Sequence, residues 1–149
     1  MRQNESMTTR RTATIASIAA VVIAVIIAAA ILLITLTPHH VDRDMGTFEY
    51  RLITAVAHVP GLGWFDYTWL ERLANVIMFA PLAALVTYLA GIRRWWIVLL
   101  GCALLSAAIE LTQLLFLPDR TASVGDVVSN TIGAAVGIGI IALARLGRG

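Results

Sequence analysis

Long apolar runs dominate this chain, and polar residues gather between them. Four runs approach the roughly 20 residues that a helix needs to cross the hydrocarbon core of a bilayer. They are Ala13–Leu36, Leu73–Ala90, Trp95–Leu117 and Val127–Ala144. The first is uncharged. The second is short and interrupted by Pro81. The third carries one charge, Glu110, and the fourth carries none but holds Asn130. A membrane barrel would read as alternating segments of about 10 residues with turn residues between them. Continuous Ala, Leu and Ile predict helices instead. The expected fold is an all-α integral membrane protein with four transmembrane helices in a small bundle. The chain divides into an N-terminal segment (1–12), a first span (13–36), a long polar loop (37–72) and a three-span unit (73–145).

Composition narrows the class further. Hydrophobic residues make up 59% of the 149 residues and charged ones 13%, where soluble domains run about 45–50% and about 25%. The mean hydropathy is +0.84. Soluble, disordered and disulfide-framed classes are thereby excluded. The net charge of +2 gives no footprint for nucleic acid. Cys102, the single cysteine, has no partner for an internal disulfide. The first run has a basic flank, Arg10-Arg11, and small residues at Ala28 to Ala30, as a signal peptide would. It exceeds the usual apolar region of about 7–15 residues, so it is expected to stay as a span.

Basic residues near span ends set orientation. With four spans, Arg2, Arg10, Arg11, Arg93, Arg94, Arg145 and Arg148 share one side. Arg43, Arg51, Arg72 and Arg120 share the other, spread over more loop. This places both termini in the cytoplasm and the long loop outside. Trp95 and Trp96 fit an inner interfacial anchor, and Trp64, Tyr67 and Trp69 an outer one.

Ionisable and amide groups inside spans carry the most information. A carboxylate at mid-helix is unfavourable by roughly 2.5–3.5 kcal/mol, so it normally faces protein and has a partner. Glu110, Gln113 and Ser106 share one face of the third helix by their spacing of three and four. Asp126, Asn130, Gly133 and Gly137 form one stripe on the fourth, where the glycine pair permits close approach of another helix. Asp126 also suits the positive end of the helix dipole. Glu71, Arg72 and Asn75 open the second helix. In the expected topology all these groups, with Arg120 in the last loop, converge near the outer surface. The plainer reading is interhelical glue: Glu110 pairing with Arg120, and amides worth about 0.6 kcal/mol each.

These residues in this order resemble the VanZ-like family of small membrane proteins. The matching stretch runs from Asn75 to Gly137. It opens with NVIMFAPLA, an Asn followed by an aromatic-Pro element, and continues with the Ser-x-x-x-Glu-x-x-Gln helix SAAIELTQ. It ends with Arg120 and the Asp-x-x-x-Asn-x-x-Gly-x-x-x-Gly helix DVVSNTIGAAVG. Ala83 departs from the pattern, since the family usually has Gly there. The resemblance implies a bacterial plasma-membrane protein with a role in resistance to glycopeptide antibiotics, particularly lipid-tailed teicoplanin.

Three functional classes follow. The first is a binding protein whose Asn75, Glu110, Gln113, Arg120, Asp126 and Asn130 hold a lipid-linked cell-wall component, a membrane lipid or a lipoglycopeptide at the outer leaflet. The second is an intramembrane enzyme acting on a lipid headgroup or wall precursor, with Glu110 and Asp126 as the acid–base pair. The third is a structural membrane partner. No His lies in the last three spans, and there is no Gly-x-Ser-x-Gly elbow or P-loop, so a Ser-His-Asp or nucleotide mechanism is unsupported. His39, His40, Asp42 and Asp44 have poor ligand spacing. No metal and no cofactor are expected.

Overall fold

The computed structural model describes residues 2–36, 47–118 and 122–147. The described residues form five α-helices and no strand: α1 (Arg2–Leu36), α2 (Thr47–Ala57), α3 (Tyr67–Ala90), α4 (Trp95–Phe116) and α5 (Val124–Leu146). Four of them, α1, α3, α4 and α5, are long and apolar enough to cross a membrane. The all-helical four-span architecture is thus the one the hydropathy pattern predicts.

Helix bounds extend past the apolar runs at several points, with α1 starting at Arg2 and α5 at Val124, and two differences bear on the site. The loop expected at 37–72 contains α2, and the second span begins at Tyr67 rather than Leu73. Both differences have a local cause. Phe48, Leu52 and Val56 recur every four residues, an amphipathic pattern too short to register as a span. At α3, the Asp66 carboxylate caps the helix by accepting from the Trp69 backbone N at 3.1 Å. That cap starts the helix upstream of Glu71 and Arg72, polar residues that a search for continuous apolarity leaves outside.

Helix α3 runs through Pro81 and stops at Gly91. Gly91 has φ 85°, a backbone conformation that side-chain-bearing residues rarely adopt. Its N–H closes the end of α3 by donating to the Thr87 carbonyl at 3.0 Å. A single 3₁₀ turn, Ile92–Arg94, then reverses the chain into α4.

Helices α3 and α5 form the most extensive pair, followed by α4 with α5 and α1 with α3. The glycine stripe explains the first pairing. A Cβ on Gly133 would lie 2.9 Å from Val76 Cα and closer still to the Val76 carbonyl oxygen. A Cβ on Gly137 would lie 2.9 Å from Ala84 N and would overlap the Ala80 carbonyl. Only glycine lets the two backbones come this close. Phe79, Ala83 and Ala134 fill the resulting seam and are fully buried. Ala83, the departure from the family pattern, therefore sits in the core. Helix α1 is the least enclosed span, with 17% of its most apolar window buried, so most of its sides are left for lipid. Leu104, Leu111, Leu114 and Leu115 on α4 are likewise exposed.

Candidate functional site

The end of the bundle where α3 and α5 begin and where α1 and α4 finish collects the described buried polar side chains except Thr87, which sits in the last turn of α3. Asn75 on α3, Ser106, Glu110 and Gln113 on α4, and Ser129 and Asn130 on α5 are all buried. At 1.5 Å of rise per residue, Glu110 lies about 9 Å below the end of α4 and Asn130 about 9 Å below the start of α5. Charged and amide groups thus share one level below the helix ends.

Three cross-helix hydrogen bonds order this layer. Asn130 Nδ2 donates to Ser106 Oγ at 2.8 Å and joins α5 to α4. Glu110 Oε2 accepts from the Ser123 backbone N at 2.6 Å. Gln113 Nε2 donates to the Thr35 carbonyl at 2.9 Å and so ties the end of α1 to α4. Helix ends leave unsatisfied backbone groups, and here two of the three bonds use them: the last turn of α1 and the entry to α5. Glu110 therefore faces the positive end of the α5 dipole. Asp126, in the first turn of α5, is half-buried, and its N–H donates to the Ser123 carbonyl at 3.0 Å. That bond is the backbone turn that opens α5, whereas Glu110 reaches Ser123 with its side chain.

Asn130 is 3% exposed, yet its Oδ1 has no hydrogen-bond partner. An unpaired buried carbonyl costs about 1–3 kcal/mol. Among the described residues Thr87 Oγ1, in the last turn of α3, is the other buried side-chain atom without a partner.

A cation stands at the rim. The Arg72 guanidinium carbon is 5.0 Å from the Trp69 ring centroid. Its Nη2 would be 3.6 Å from a Cβ at Gly125, so it reaches the first turn of α5. Trp69 in turn packs edge-on against Trp64, with centroids 5.2 Å apart. The sequence reading gave the cationic role to Arg120, which lies outside the described residues, as do His39, His40, Asp42 and Asp44. Arg72 was legible as a residue three positions after Trp69 on one helix face, a spacing at which side chains meet. Ser123 and Thr35 were not legible, because they contribute backbone atoms. Of the remaining sequence candidates, Asn75 shares the buried level, while the three bonds above connect Glu110, Gln113 and Asn130 to separate partners.

The structure so far defines a small polytopic membrane protein with one polar, hydrogen-bonded end. The VanZ/LLP1 family model matches residues 15–145, and the chain belongs to that family. The match takes in α1, which the motif resemblance over Asn75–Gly137 did not include. No curated protein and no solved structure matches the chain.

Proposed function

We propose that the polar end of the bundle holds the hydrophilic part of a lipid-linked or lipid-tailed molecule at the outer leaflet, in glycopeptide resistance or in maintenance of the cell envelope. The observation that carries this reading is the unpartnered Oδ1 of Asn130 within a layer of buried Glu, Gln and Ser side chains. Arg72 at the rim suits a phosphate or carboxylate, because a guanidinium offers five donors. The aromatic group of Trp64, Phe65 and Trp69 beside it suits an interfacial headgroup region. Family membership supports a glycopeptide context, and the arginine distribution supports an outward-facing polar end. The ligand's tail would lie in the bilayer, where the exposed leucines already meet lipid.

The test is binding in nanodiscs. Purified protein is titrated with teicoplanin, with vancomycin as the tail-less control, and with a lipid-linked wall precursor. Binding of a tailed ligand that weakens in Asn130→Ala and Arg72→Gln supports the proposal. Equal binding by all variants contradicts it.

One observation favours a second reading. Glu110 accepts from Ser123 N and Asp126 lies in the first turn of α5 that follows, so two carboxyl residues belong to one helix start, as acid–base catalysis on a headgroup would use. Turnover of a lipid or precursor by the wild type, abolished in Glu110→Gln with binding retained, would identify that activity.

A further inference from the structure

The opposite end of the bundle carries a second feature that the polar layer does not use. Between α1, α3 and α4 runs a groove of 330 Å³, lined by Ala28, Leu82, Val86, Gly101 and Leu105 and closed at one end by Arg94. Arg94 also lines an adjoining open surface recess, with Arg93, Arg145 and Gly91. Among the described residues, no Asp or Glu lines either one.

The dimensions and charges point to one occupant. From Arg94 to Leu105 the groove follows α4 for about 16 Å at 1.5 Å per residue. That is about half of a 30 Å hydrocarbon core, the depth of a single leaflet. Its walls are apolar and its open side faces lipid. Trp95 and Trp96, both exposed, follow the arginines directly and set this end at headgroup level. Arg94 Nη1 donates to the Ala90 carbonyl at 3.4 Å and Arg145 Nη2 to the Tyr88 carbonyl at 3.4 Å. Two guanidinium groups from different helices are thereby drawn to the last turn of α3, each with donors left for an anion. Three exposed like charges gathered beside an apolar groove attract an anionic headgroup.

We propose that this groove and its arginines form a binding site for one anionic phospholipid, the phosphate held among Arg93, Arg94 and Arg145 and an acyl chain laid along Gly101. By the arginine distribution it belongs to the cytoplasmic leaflet. The site is distinct from the polar layer at the other end and does not depend on the ligand proposed there. Gly101 sets the width of the groove: a Cβ there would meet nothing within 4 Å, so a larger side chain fills the groove without striking the bundle.

The experiment is lipid exchange into detergent-purified protein, read by native mass spectrometry and thermal shift, with phosphatidylglycerol against phosphatidylcholine of the same chains. Wild type is expected to prefer the anionic lipid by about tenfold or more, given the attraction of each basic residue to anionic headgroups. The R93Q/R94Q/R145Q variant should bring the preference below about twofold. Gly101→Leu should lower occupancy of the lipid while its melting temperature without added lipid stays at or above that of wild type. Glycerol phosphate, which has the headgroup charge and no chain, should not compete. Three results would overturn the proposal. One is equal binding of the two lipids by wild type. Another is an anionic preference that survives loss of the arginines. The third is a dimer that Gly101→Leu abolishes with lipid occupancy unchanged, which would assign the groove to a second copy.

Discussion

Glu110 accepts a hydrogen bond from the backbone N–H of Ser123 at 2.6 Å, so a carboxyl group buried in α4 holds the entry of α5. This bond closes the turn between the two helices. It also gives Glu110 a backbone donor, one of the partners that an intramembrane carboxyl requires.

The bond predicts a graded response. Glu110→Ala leaves the Ser123 N–H without its acceptor and should cost about 1–3 kcal/mol. Glu110→Gln keeps an acceptor oxygen of the same reach and should cost less than about 1 kcal/mol. Unfolding of the purified variants in a mild detergent checks both values.

The glycines of α5 predict opposite outcomes at neighbouring positions. Gly137→Ala places a Cβ against the Ala80 carbonyl and Ala84 N, which are backbone atoms that cannot swing away. It should destabilise by about 1–3 kcal/mol, the range for overpacking, and lower the amount of protein in the membrane. Gly139→Ala meets nothing within 4 Å and should be neutral or stabilise by up to about 1 kcal/mol, since Ala suits a helix interior better than Gly. Membrane levels and thermal unfolding of the pair check the close seam between α3 and α5.

Gln113 links α1 to the rest of the bundle through the Thr35 carbonyl. Gln113→Ala should cost only about 0.6 kcal/mol overall, the usual scale of an interhelical hydrogen bond in a membrane. Its effect should be local. Hydrogen exchange at the end of α1 should quicken while the α3–α5 seam keeps its protection. Uniform loosening of all four spans would contradict this placement.

Hydropathy made the four spans legible because each must hide its backbone within itself and present apolar sides to lipid. The burial of Ser106, Glu110, Gln113 and Asn130 was legible too, through spacings of three and four along a helix. Helix α2 was not, because it is too short for a span and gives only a brief amphipathic signal. The partners of Glu110 and Gln113 were hidden for a different reason. Every residue has a backbone N–H or carbonyl, so sequence cannot say that Ser123 and Thr35 are the ones used. The clustering of Arg93, Arg94 and Arg145 around Gly91 depends on how α3, α4 and α5 pack, which orientation counting does not reach.

The central claim is that the polar layer acts on a ligand as well as holding helices together. Antibiotic susceptibility of a sensitive Gram-positive host tests it most directly. The host would express wild type, Glu110→Gln, Asp126→Ala or Asn130→Ala at matched membrane levels, and teicoplanin would be compared with vancomycin. Wild type should protect against teicoplanin alone, and all three variants should lose that protection. Protection by the variants equal to that of wild type would contradict it and leave the layer a purely structural role.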